Sequence, residues 1–197
     1  MLSRRALLIA FAAAPLAARA QTPDFATLAA QGAEERARKP EIYDPAYVRI
    51  PYPMGDVPDD RGVCADTLIR AFRAAGADLQ RLVHEDMKRA FAAYPALWSL
   101  KHTDTNIDHR RVPNLETFFT RAGASLPLNA DPTLYLPGDV VSWRLPGNLP
   151  HIGVVSTKIS PFTRQPLLVH NIGAGSQIED VLFAWPQRGW FRYRPTA

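Results

Sequence analysis

The spacing of apolar residues along the chain divides it into unlike stretches. Ala6 to Ala14 is an almost unbroken apolar run behind the basic pair Arg4-Arg5. From Thr22 to Lys39 the apolar positions thin out to Phe25, Leu28 and Ala29 on one side of a charged helix, which a Thr22 cap, Pro23 in the first turn and Pro40 would delimit. A helix with so narrow an apolar side predicts a loosely packed N-terminal arm over residues 21–40. Residues 41–61 follow as an extended, proline-punctuated segment. Helical spacing returns with Leu68, Ile69, Phe72 and Ala75, predicting a helix from about Val63, with Gly76 placed to end it. A second helix is expected from Leu79 to Tyr94, and a short third one behind an Asn114 cap, closed by Gly123. Beyond Pro137-Gly138 the pattern shortens. Asp139–Arg144, Ile152–Ile159, Leu167–Ile172 and Gly189–Arg194 read as strands between Pro/Gly/Asn turns. Helices first and strands later predict an α+β domain whose helices pack on a small antiparallel sheet.

Composition changes this picture mainly at the start. The apolar run is shorter than the ~20 residues a membrane span needs, and Ala18-Arg19-Ala20 is a small-x-small cleavage pattern, so residues 1–20 are expected to be a signal peptide. Ser3-Arg4-Arg5-Ala6-Leu7-Leu8 also resembles a twin-arginine signal. The expected location is exported and periplasmic, with no membrane span once the signal is removed. Three of the 23 basic residues (Arg4, Arg5 and Arg19) and none of the 19 acidic ones fall in that segment, so the net charge of +4 drops to +1 without it. No basic field then remains to argue for nucleic acid. The remaining chain suits one domain.

A single cysteine, Cys64, cannot form a disulfide within the chain. One reading makes it a small buried hydrophobe. The other rests on its position at the start of a helix, where unpaired N–H groups and the helix dipole stabilise a thiolate and could hold an oxyanion. Such a thiolate needs a base. Of five histidines, His84 and His102 read as surface residues and His109 lies in the polar run Asp108-His109-Arg110-Arg111. His151 and His170 sit on neighbouring predicted strands, and a hairpin over 151–172 would bring both to one end of the sheet, one as base and one to orient it. Successive strand residues face opposite ways, so His170 and Asn171 cannot both point at His151. The long hairpin loop leaves the register open between them. The run Asp108 to Arg111 and the acidic stretch beginning at Asp56 have two readings as well: a structural ion-pair lattice, or a cleft wall whose guanidinium groups receive substrate carboxylates. No metal-ligand spacing and no phosphate-binding glycine loop occur, so no cofactor is expected.

Several blocks carry a family resemblance. Pro51-Tyr52-Pro53-Met54-Gly55 with Gly62-Val63-Cys64, Leu136-Pro137-Gly138-Asp139-Val140-Val141-Ser142-Trp143, His151-Ile152-Gly153-Val154-Val155 and Leu168-Val169-His170-Asn171 resemble the NlpC-type papain-like cysteine peptidases, which cut peptidoglycan stem peptides. Tyr52 to Pro58, Val83 to Met87, Asn106 to Leu115 and Val169 to Gly173 together resemble the allied domain of unknown function 1287 family across almost the whole chain. The resemblance implies a papain-like (NlpC-type) fold over residues 41–197, a half-barrel of strands with helices packed on it. It makes Cys64 the nucleophile, His151 the base, His170 the orienting residue and Tyr52 a contributor to the oxyanion site. The chain departs from the NlpC pattern around the cysteine, where Val63, Ala65 and Asp66 stand in place of Asp before it and Ser-Gly after it. Asp66 there opposes a neighbouring thiolate.

The implied activity is hydrolysis of an amide bond in peptidoglycan stem peptides, or in another peptide-like substrate, through a Cys-His-His (or Asn) triad. Acyl transfer or amidase chemistry on another amide or lipid uses the same residues. A non-catalytic wall-binding module is the third expectation.

Overall fold

The computed structural model describes residues 24–195; the signal peptide expected over 1–20 and the helix start expected at Thr22 and Pro23 lie outside the described residues. Helix α1 (Phe25–Arg36) leads into a parallel pair of short strands, β1 (Ile42–Tyr43) and β2 (Arg61–Gly62). Helices α2 (Cys64–Ala74), α3 (Leu79–Arg89) and α4 (Val112–Arg121) follow. The second half supplies an antiparallel sheet of β3 (Ser125–Leu126), β4 (Val140–Leu145), β5 (Leu149–Ile159), β6 (Pro166–Asn171), β7 (Ser176–Glu179) and β8 (Gln187–Phe191). Its order is β3-β8-β4-β5-β6-β7. The class is α+β, with the helices laid on an antiparallel sheet, as the change of apolar spacing predicts.

The sheet is buried on both faces, which is why its central strands read as apolar runs rather than as alternating patterns. Val140, Ile152, Val154, Val169 and Phe191 face the helices and meet Leu68, Phe72, Leu115 and Phe119. Val141, Trp143, Val155, Leu168 and Trp190 face the other way, under Tyr135 and Leu182.

The first helix is no loose arm. It begins at Phe25 with Asp24 as its cap, whose carboxylate accepts from the Thr27 N–H at 2.9 Å. Its buried side is made of Ala26, Ala29, Ala30 and Ala33, small residues that let α1 lie close against α2 and β5. The approach is close enough that a Cβ on Gly138, whose φ is +80°, would come within 2.3 Å of the Ala26 carbonyl oxygen. Glu34 then locks the helix to β5. Its Oε1 accepts from Ser156 Oγ (2.6 Å), Thr157 N (2.8 Å) and Thr157 Oγ1 (2.7 Å).

Two helices differ from their expected limits. α3 stops at Arg89, and the chain turns through a short 3-10 segment so that the Tyr94 hydroxyl can donate to Asp86 at 2.8 Å. α4 starts at Val112 with Pro113 in its first turn, and Asn114 is a buried residue inside it that donates to the Asp108 carbonyl at 3.0 Å. A proline early in the helix costs no internal hydrogen bond, so the start precedes the expected cap.

Candidate active site

Cys64 is the first residue of α2, which the β2 strand and the extended Val63 deliver to the sheet. The side chain is buried. The backbone N–H groups of Ile152, Ala65 and Cys64 itself lie near enough to the sulfur to favour its thiolate. β6 pairs with β5 only from Val154 onward, and Cys64 packs into the helix-facing core beside Ile152. Burial pushes the Cys64 thiol up to about 12, and the Asp66 carboxylate adds to this, while the three N–H groups pull the other way.

Asp66 in the first turn is held on both oxygens. Oδ2 accepts from the Val63 N–H at 2.7 Å. Both oxygens receive the guanidinium of Arg110, Nε to Oδ1 at 2.8 Å and Nη2 to Oδ2 at 2.9 Å, in a buried bidentate pair. Arg110 is thereby paired with the carboxylate, which still raises the Cys64 thiol.

The hairpin of β5 and β6 brings the two strand histidines together. His151 Nε2 and His170 Nδ1 are 2.8 Å apart. Gly153 makes the room: a Cβ there would lie 3.1 Å from the His170 Cβ and 3.3 Å from the Trp143 ring. Trp143, opposite His151 in the register, and Trp185 flank the pair at 5.7 and 5.9 Å from the His151 ring. Asn171 faces the helices instead and donates to Glu41 at 3.1 Å, so the alternation of the strand leaves the contact with His151 to His170. Burial brings His151 down to about 3, and the His170 ring contributes in the same direction. The contact with His170 uses His151 Nε2 and not Nδ1. No hydrogen bond joins sulfur and ring: the Ile152 N–H serves the sulfur on the helix side, while the His151 ring packs with His170 and Trp143 on the face turned away from the helices.

A cavity of ≈ 250 Å³ opens on Cys64, lined by Tyr43, Val63, Trp98, Arg111, Pro113 and Pro150 among others. A hollow of ≈ 750 Å³ begins at the same two prolines and runs toward Arg144 and Arg188. Tyr52 lines neither. Its ring packs edge-on against His84 at 5.1 Å, and Tyr43 stands beside Cys64 in its place. Asp56 is held by Arg70 (3.0 Å) and Arg73 (2.7 Å) in an ion-pair lattice. Asp108 and His109 are buried; Asp108 accepts from the Asp104 N–H and lies 3.5 Å from Arg111. Of the polar run, Arg110 and Arg111 reach the cavity wall. Arg110 is spent on Asp66, and Arg111 lies over the Trp98 ring at 4.1 Å. Among the described residues no group of three or more His, Cys, Asp or Glu is arranged to hold a metal ion.

The buried imidazoles have a measurable consequence. Burial also lowers His109, to about 4. Unfolded, both rings take up a proton near pH 6.5; folded, they resist it until about 4 and about 3. The unfolded chain therefore binds more protons across that interval, and stability falls as the pH drops from 6.5 toward 4. The urea midpoint is expected to decline over this range, and His109→Gln to flatten the decline; a midpoint flat from pH 7 to 4.5 would contradict the buried neutral rings.

The family described as Domain of unknown function (DUF1287) matches residues 30–193. The chain is 55% identical over 166 residues to the uncharacterized protein YijF of Escherichia coli (strain K12), covering 83% of this chain and 80% of that one. Among solved structures it is similar to NlpC1 from Trichomonas vaginalis, with a TM-score of 0.48 and 12% identity over 89% of this chain. It spans 46% of that protein's length.

Proposed function

Because the chain belongs to the DUF1287 family, with a lone cysteine at a helix start and a histidine pair on the strands of the adjoining sheet, we propose that it is an exported cysteine hydrolase of the papain-like kind. The observation that carries this reading is the pairing of His151 Nε2 with His170 Nδ1 at 2.8 Å, on the strand whose Ile152 N–H lies near the Cys64 sulfur. In the resting state both groups are neutral. Attack on a carbonyl moves the thiol proton to His151 Nδ1, so the two opposite charges form together and each lowers the cost of the other. The carbonyl oxygen, becoming negative, is met by N–H groups at the start of α2. His151 then gives its proton to the leaving amine, and water hydrolyses the thioester.

The substrate proposed is an amide bond in a peptidoglycan stem peptide. Support comes from the cavity: Arg111 offers a cation suited to a stem-peptide carboxylate, and the hollow beyond Pro113 and Pro150 extends far enough for a polymer. Arg110 has no such role, since Asp66 occupies its guanidinium.

Digestion of purified sacculi tests this. Fragments with one water added across a stem-peptide bond are expected, and sacculi left intact would sink the assignment. Acyl transfer would show instead as an adduct on an added amine or alcohol. One observation favours the non-catalytic reading, the thiol pushed up to about 12. It predicts a Cys64 inert to iodoacetamide at neutral pH, whereas the hydrolase predicts alkylation assisted by His151.

A further inference from the structure

The His151–His170 contact leaves one question of chemistry open: which ring holds the proton between them. Each neutral imidazole carries a single N–H. If His170 donates from Nδ1, then His151 accepts at Nε2 and bears its own proton on Nδ1, where it cannot take another from a thiol. If His151 donates from Nε2, its Nδ1 is a free lone pair and the ring is a base. Something must select the second arrangement, and the other end of His170 is where selection can act.

That end faces a carboxylate. Glu179 Oε2 lies 2.9 Å from His170 Nε2. β7 pairs antiparallel with β6, His170 opposite Gln177, so Glu179 stands two residues along on the same face and its long side chain spans the diagonal. The contact is at ion-pair distance without the alignment of a full hydrogen bond, which a small rotation of the half-exposed glutamate would supply. Trp143 and Trp185 present rings to the pair, and Gln177 Nε2 donates to the Ala174 carbonyl at 3.5 Å. Among the described residues, Glu179 is the charged group that acts on His170, and His170 the one that acts on His151.

We infer that Glu179 is a positioning residue for the His151 base, acting through His170: a carboxylate at His170 Nε2 holds that ring's proton there, makes Nδ1 an acceptor, and so fixes His151 with Nε2–H bonded and Nδ1 free. The inference rests on the reading of Cys64 and His151 as nucleophile and base. In the step it serves, the thiol proton passes from Sγ to His151 Nδ1 and the Nε2 proton stays in its bond to His170. The positive charge formed on His151 is then stabilised along the chain of two contacts by the carboxylate.

The experiment follows the rate of Cys64 alkylation by iodoacetamide across pH 5 to 10, a readout that needs no natural substrate, for wild type, His151→Ala, Glu179→Leu and Glu179→Gln. Thermal unfolding of each is measured alongside. Glu179→Leu is expected to slow alkylation at pH 7 roughly tenfold or more and to move the pH profile, as loss of an orienting partner does. Glu179→Gln, which keeps an acceptor oxygen, should recover part of the rate at equal thermal stability. If His151→Ala slows the reaction and Glu179→Leu follows the wild-type profile, the inference is overturned while the base assignment stands. Equal slowing by Leu and Gln together with a matching drop in unfolding temperature overturns it too, because that is a structural role. If His151→Ala itself alkylates like wild type, the underlying assignment fails and the inference goes with it.

Discussion

Cys64→Ala is expected to lower kcat/KM for sacculus cleavage on the order of ten-thousandfold or more, the scale on which loss of a nucleophile disables a hydrolase. The fold should hardly notice. The sulfur occupies the tip of α2, where Val63, Ala65 and the sheet close around it, so removing one atom leaves a small void and costs about 1 kcal/mol at most. The Asp66–Arg110 pair and the Val63 N–H bond persist, because neither involves the sulfur. Kinetics and thermal unfolding on the same samples decide it: a variant that retains more than a few per cent of the wild-type rate at unchanged stability would remove Cys64 from the chemistry.

The largest effect on stability is expected from Glu41→Ala. Its side chain is fully buried between two halves of the molecule. Oε1 accepts from Arg36 Nε (3.2 Å) and Arg70 Nη1 (2.7 Å). Oε2 accepts from Asn171 Nδ2 (3.1 Å), Ser176 N (3.2 Å) and Ser176 Oγ (2.7 Å). Removal strands two nearly buried guanidinium groups and the polar end of β6 in one step. Breaking a buried pair by deleting one partner costs roughly 3–5 kcal/mol, which for a chain of this size lowers Tm by about 6–20 °C. Asp56 and Asp59 still hold Arg70 and Arg36 from the outside, which keeps the loss within that range. A shift of less than about 3 °C would mean that Glu41 is tolerated rather than required. Because Asn171 adjoins His170, activity is expected to fall with it.

The residues at the centre of the site were legible in the sequence for a physical reason. A cysteine before a clear amphipathic run must lie near a helix start, and two histidines on consecutive strand patterns must share a sheet end if the strands form a hairpin. The choice between His170 and Asn171 depends on register, which the Ser160–Gln165 turn sets and the apolar pattern does not. Glu179 carried no signal at all: its reach to His170 depends on how β7 pairs, and β7 is only four residues after a glycine-containing turn. Asp66 and Arg110 are 44 residues apart, and each has the ordinary look of a surface charge until the fold joins them. Tyr43 and Tyr52 are alike in type; the parallel pairing of β1 with β2 decides which stands beside Cys64. The first helix misled because its buried side is alanine, which packs closely yet registers weakly as hydrophobic.

The anchoring of α1 also has a consequence in time. Glu34 finds its donors at Ser156 and Thr157, more than 120 residues later in synthesis. A partial chain emerging from the ribosome lacks them, so α1 is among the last helices that can settle. Refolding should accordingly be slow for a domain of this length, as it is for folds built on distant partners, and chains cut before residue 156 should stay accessible to proteases along their whole N-terminal half.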